Sequence, residues 1–127
     1  MKLRIKGNSI RLRLLRSEVT KLIEIGRIEE TIHFSSDSRA MLTYSLETEA
    51  GQAGVRIRHE FPEVSIVLPV DQAKSWAETN QVGIYATVDI GEHGELEIIV
   101  EKDFACLDLS DAENHDTFAN PEIGAAC

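Results

Sequence analysis

The stretch Lys2-Leu3-Arg4-Ile5-Lys6-Gly7-Asn8-Ser9-Ile10-Arg11-Leu12-Arg13-Leu14 alternates charged and apolar side chains over 2–6 and again over 10–15. Successive side chains of a strand point to opposite faces, so this period of two predicts two strands with an apolar face and a cationic face. Working outward, Val19, Leu22 and Ile23 recur at helical spacing and predict a short helix over 17–25. Alternation returns over 28–34 and 42–48. Sliding residues 1–54 onto residues 55–108 without a gap then brings a second set into register: strands over 55–60 and 64–68, a helix over 71–79, strands over 82–90 and 95–103. In that overlay Leu3 falls on Ile57, Ile10 on Val64, Leu12 on Ile66, Leu22 on Trp76, Ile28 on Val82, Phe34 on Val88, Leu46 on Val100 and Glu47 on Glu101. Identities are few, so the repeat is one of pattern. Ser17 and Asp71 are predicted N-caps, and Gly26 and Asn80 predicted left-handed helix ends.

Each half therefore reads β-β-α-β-β. Helices of about nine residues are marginal alone and must be held by packing on a sheet. Pro62 and the Gly91–Gly94 stretch punctuate hairpins, and the absence of long crossovers predicts mainly antiparallel pairing. The expected fold is α+β: an internally duplicated ββαββ unit, with a mainly antiparallel eight-stranded sheet or open barrel and two short helices. Residues 1–108 are expected to form a single domain made of two pseudo-symmetric repeats, 1–54 and 55–108, with 109–127 a polar C-terminal tail.

Composition sets outer limits. The chain has 127 residues, 43% of them apolar, enough for one cored domain. Its apolar runs are too short to span a membrane, and its N-terminus reads as a strand rather than a secretory leader, so a cytoplasmic protein is expected. Cys106 and Cys127 are the only cysteines. They are expected as thiols, with Cys106 buried beside Phe104 and Leu107.

Charge is segregated. The formal net charge is −9, yet residues 1–27 carry Lys2, Arg4, Lys6, Arg11, Arg13, Arg16, Lys21 and Arg27 against only Glu18 and Glu24. An acidic protein is a poor partner for duplex nucleic acid, whose binding depends on neutralising phosphates. With Leu3, Ile5, Ile10, Leu12 and Leu14 turned to the core, Lys2, Arg4, Lys6, Arg11 and Arg13 share the opposite face. Arg56 and Arg58 stand alike in the second half. These seven cations are the candidate anion-binding residues. Glu47, Glu97 and Glu101 are their candidate acidic counterparts, and the competing reading is a solvated face relieved by cross-strand ion pairs.

Other chemistry has little footing. No Cys-x-x-Cys or His-x-x-x-His spacing occurs, so a zinc site would need long-range convergence of His33, His59, His93 or His115 with the cysteines. Nucleophile-elbow, phosphate-loop and dinucleotide-loop motifs are missing. Neither a cofactor nor a metal is expected, and no catalytic residue can be named.

Two resemblances add to this reading. Met1 through Arg13, together with Val100-Glu101-Lys102-Asp103-Phe104-Ala105-Cys106-Leu107-Asp108, resembles a small bacterial family of unknown function, which implies no activity. Eight antiparallel strands and two helices in two copies also resemble the architecture of the triphosphate tunnel (CYTH-like) proteins. That likeness implies a barrel lined by Lys, Arg and Glu that works on triphosphates with a divalent metal. The family's Glu-x-Glu-x-Lys pattern is replaced here by Lys2, Arg4 and Lys6, so no catalytic residue carries over. The expected function is a binding module for a protein partner or a small phosphate-bearing anion on the charged face, with a metal-dependent triphosphate hydrolase as the alternative.

Overall fold

The alternating stretch at the N-terminus folds as a hairpin of β1 (Lys2–Lys6) and β2 (Ser9–Leu14), in which Leu3 faces Leu12 and Ile5 faces Ile10. In the computed structural model, which describes residues 1–106, 110 and 112–119, the chain continues through α1 (Arg16–Ile25), β3 (Arg27–His33), β4 (Met41–Glu49), β5 (Arg56–Glu60), β6 (Glu63–Pro69), α2 (Val70–Glu78), β7 (Gly83–Asp89) and β8 (Glu95–Lys102). The secondary structure is therefore the expected α+β.

The sheet arrangement corrects the expectation. The strands form two four-stranded sheets, β1-β2-β8-β7 and β3-β4-β6-β5, rather than one eight-stranded sheet or an open barrel. The four hairpin pairs are antiparallel, but the central pairs β2–β8 and β4–β6 run parallel. Parallel partners need the chain to cross back. Between β4 and β6 that return is made by edge strand β5, a device that leaves no long crossover in the sequence. Each hairpin puts one strand at the centre and one at an edge, so β1, β7, β3 and β5 end their sheets and no strand among the described residues closes them into a tunnel.

One apolar core fills the space between the sheets and helices. It contains Ile10, Leu12 and Leu14 of β2, Val19 and Leu22 of α1, Leu46 of β4, Ile66 and Leu68 of β6, Ala73 and Trp76 of α2, and Ile98 and Val100 of β8. Trp76 is fully buried and its indole N–H donates to the Val82 carbonyl at 3.1 Å. Leu22 and Trp76 are equally buried on their helices, as the overlay expects. The gapless slide fails at one place: β3 sets Ile28 opposite Leu46, whereas β7 sets Ile84, not Val82, opposite Val100. Gly26, left-handed at φ 88°, turns α1 directly into β3, while residues 79–82 link α2 to β7. The 90–94 loop is correspondingly shorter than the 34–40 loop, and register is regained in the last strand.

Helix ends also differ from expectation. α1 is preceded by Leu15, not capped by Ser17, and α2 by Pro69, not Asp71; Thr79 rather than Asn80 follows α2, in extended geometry. Glu18 Oε1 accepts the Leu15 N–H at 2.9 Å. The next two donors of the first turn are met from far along the chain. Arg16 N–H donates to the Asp116 carbonyl at 2.9 Å, and Ser17 N–H and Oγ donate to the Asp116 carboxylate. The described part of the tail thus lies against the domain, and Phe118 pairs with Phe104 in a parallel bridge. Cys106 is buried as expected, but it is not a thiol: its sulfur is disulfide-bonded. The expectation for Cys127 lies outside the described residues.

Candidate anion-binding face

Strand pairing decides which cations meet. On the outer face of β1-β2-β8-β7, Lys2 stands opposite Arg13, Arg4 opposite Arg11, and Lys6 opposite Ser9. The next strand sets Glu97 beside Ser9, Ile99 beside Arg11 and Glu101 beside Arg13. The outermost places Tyr85 beside Ile99 and Thr87 beside Glu97. The face is therefore cationic along the β1–β2 hairpin and acidic along β8. Five of the seven candidate cations come together here. Arg56 and Arg58 do not: they lie on β5, an edge strand of the other sheet.

The two sheets neutralise their charges differently. On the β3-β4-β6-β5 face, Arg27 pairs with Glu47, with Glu29 at 2.6 Å and with Glu63 at 2.7 Å. Arg58 reaches over β6 to Glu47 at 2.6 Å, and Arg56 pairs with Glu49. The hydrogen bond from Arg27 holds the Glu63 carboxyl below the usual glutamate range, and Glu63 and Glu29 together raise the Arg27 guanidinium. Arg58 can cross because the side chain between it and β4 is Ser65, small and buried; its Oγ has no hydrogen-bond partner among the described residues.

On the β1-β2-β8-β7 face the corresponding position holds Arg11 instead of a serine. Arg11 Nε takes Glu101 itself, at 3.2 Å, and Tyr85 OH donates to the other Glu101 oxygen at 2.9 Å. Partial desolvation of this largely exposed side chain, then the adjacent Glu101, pushes the Tyr85 hydroxyl above its ordinary pKa. Lys2 Nζ lies 2.8 Å from Asp103 Oδ2, a close ion pair without hydrogen-bond alignment. Among the described residues no acid pairs with Arg4, Lys6 or Arg13, and Glu97 makes no ion pair. Cross-strand like charges such as Arg4 and Arg11 are destabilising unless something relieves them.

A shallow pocket of about 260 Å³ lies among these groups, lined by Arg4, Lys6, Ser9 and Arg11. Arg13 lines a separate depression with Glu101, Lys102 and Asp103. Arrangement alone does not make a site, because Lys and Arg on the edge strands β1 and β5 also discourage edge-to-edge sheet pairing. The pocket nevertheless offers two guanidinium groups, an ammonium and a hydroxyl, all hydrogen-bond donors suited to an oxyanion. Ser9 was missed in the sequence because its partner at the pocket, Lys6, follows only from the hairpin register.

A larger cleft of about 570 Å³ opens between the end of α2 and the start of α1, lined by Arg16, Thr79, Lys102, Phe104 and Phe118 among others. Its buried cation is already engaged: Lys102 Nζ donates to the Thr79 carbonyl at 2.6 Å and lies 5.3 Å from the centre of the Phe118 ring. Burial lowers its pKa. Among the described residues no three His, Cys, Asp or Glu side chains are grouped to hold a metal ion. No described helix is long and apolar enough to cross a membrane.

Known proteins add a family and little more. No curated protein and no solved structure matches the chain, and the resemblance to triphosphate tunnel proteins has neither a match nor a closed sheet behind it. A family model described as a family of unknown function, DUF7009, matches residues 1–122, so the chain belongs to that family.

Proposed function

We propose that this chain is a binding module whose β1–β2 hairpin takes a small phosphate-bearing anion at Arg4, Lys6, Ser9 and Arg11. One observation carries the reading: the three cations on the outer face of β3-β4-β6-β5 are all paired, whereas Arg4 and Lys6 border a pocket that contains no acid. Placing an oxyanion there relieves the Arg4–Arg11 repulsion and supplies the missing acceptors. Thermal unfolding at low salt tests it. Inorganic phosphate should raise the melting temperature by mass action, and the gain should fade as added salt shortens the screening length. In Arg4→Gln/Lys6→Gln the response should vanish while ligand-free stability at low salt rises. No response of the unaltered protein to phosphate or sulfate defeats the proposal.

The same face supports a second reading, a protein partner that presents carboxylates. The exposed Tyr85 beside the acidic strand is the kind of aromatic contact that interfaces use.

An internal duplication, with repeats 1–54 and 55–108 followed by the tail, accounts for the architecture. Its support is pairing register: Leu12 lies beside Val100 as Ile66 lies beside Leu46, and Leu3 faces Leu12 as Ile57 faces Ile66. The ion pairs Lys2–Asp103 and Arg56–Glu49 occupy corresponding places. Each sheet takes the first hairpin of one repeat and the second hairpin of the other.

A further inference from the structure

The β3-β4-β6-β5 sheet contains, within its own side chains, a picture of what the pocket on the other sheet lacks. Matching hairpin registers set Arg4 against Arg58, Lys6 against Glu60, Ser9 against Glu63 and Arg11 against Ser65. The four residues of the 260 Å³ pocket thus correspond to four places on β5 and β6, of which Arg58, Glu60 and Glu63 line a pocket at the tip of that hairpin. There the Glu63 carboxylate takes a hydrogen bond from Arg27 at 2.7 Å. In the cationic pocket the same strand position ends at the Ser9 hydroxyl, one carboxylate short, and the facing residue has changed from Glu60 to Lys6.

We infer that the pocket takes one terminal oxyanion group, a single phosphoryl group of a phosphomonoester, seated at the Ser9 hydroxyl, the strand position that carries Glu63 on the other sheet. This rests on the anion-binding reading above and narrows it. Size follows from the surrounding charge. Glu97 stands beside Ser9 on β8, and Glu101 closes the next row behind Arg11. A chain of phosphates extended from Ser9 across the sheet would set its second group onto those carboxylates, beyond the reach of the three cations. In the other direction the cations stop at the edge strand β1. Lys2 is engaged by Asp103, and Arg13 borders a different depression. Three cations around one hydroxyl therefore serve one dianionic group and offer nothing further to a second.

Ser9→Glu supplies the missing carboxylate from within the chain and is the decisive variant. It should raise ligand-free stability at low salt, because the new carboxylate faces Lys6 with Arg4 and Arg11 in the same pocket, three cations against the single neighbouring carboxylate of Glu97. It should also weaken inorganic phosphate by about tenfold or more, since occupant and ligand are alike in charge and place. Ser9→Ala controls for the hydroxyl and should weaken phosphate only modestly. Calorimetric titrations of the full chain with phosphate, phenyl phosphate and tripolyphosphate at matched ionic strength complete the test. Phosphate and phenyl phosphate should bind alike, with tripolyphosphate no tighter. Tripolyphosphate binding at least about tenfold tighter than phosphate would overturn the single-group inference and leave the anion site standing. Phosphate binding unchanged in Ser9→Glu would overturn the placement. Failure of every anion to bind the unaltered protein would remove the anion reading itself, and this inference with it.

Discussion

Trp76 shows how much of the interior rests on single side chains. It is fully buried where α2 meets the core, and its only polar atom is satisfied by the Val82 carbonyl. Trp76→Ala should cost about 3–5 kcal/mol, the range for large core truncations. Native fluorescence should be blue-shifted relative to free tryptophan, and a spectrum like that of the free amino acid would contradict the burial. Glu63 provides the pH-dependent counterpart. Its folded pKa is held down chiefly by the hydrogen bond from Arg27, so it stabilises the protein above the ordinary glutamate pKa. That contribution is lost as pH falls through the lowered folded value. Urea midpoints followed from neutral pH into the acid range should therefore fall less steeply in Glu63→Gln. The carboxyl is partly exposed, so the effect is small. At Cys106 the expectation reverses the one read from sequence: without reductant the folded protein should not be alkylated there, and with reductant it should.

Among the elements, α1 depends on a carboxylate far away in sequence. Helix N-termini leave backbone donors unpaired, and α1 lacks a side-chain cap at Leu15. Asp116 meets two of those donors and the Ser17 hydroxyl as well. Asp116→Ala should destabilise the domain by about 1 kcal/mol, as loss of an N-cap oxygen does. Asp116→Asn should retain part of that stability, because the amide oxygen can still accept. Sequence reading placed the cap at Ser17, since a serine before an apolar run is the usual signal. Ser17 in fact lies inside the helix and donates to the acid that caps it.

Over the whole molecule, the exchange of hairpins makes the two halves interdependent. Every four-stranded sheet joins a hairpin from residues 1–49 to one from residues 56–102 through a parallel central pair. Either half alone exposes its β2 or β6 edge and half a core. A chain cut in the exposed turn at 51–54 should give fragments that lack sheet circular dichroism separately and recover it when mixed in equal amounts. Independent folding of either fragment would show that the hairpins can pair within one half.

The sequence determined the elements and the face each strand side chain takes, but not its burial: Ile5, expected in the core, is largely exposed on the edge strand β1. A period of two commits each of Lys2, Arg4, Leu3 and Leu12 to a face whatever the partner strand is, and Leu22 and Trp76 fall on the buried side of their helices by the same local logic. It did not determine which hairpins pair. Parallel contacts between β2 and β8, and between β4 and β6, depend on energies summed over strands distant in the chain. From that choice followed the surroundings of the site, while the register of the β1–β2 hairpin set its lining. Arg56 and Arg58 went to the other sheet, Glu101 went to Arg11, and Ser9 joined Arg4 and Lys6. The two-residue shift at Ile84 was likewise hidden, because Val82 and Ile84 share one face of a strand and either satisfies the alternation. Only packing against Val100 selected Ile84. Local chemistry fixes the direction of a charge; tertiary pairing decides whether it finds a counterion.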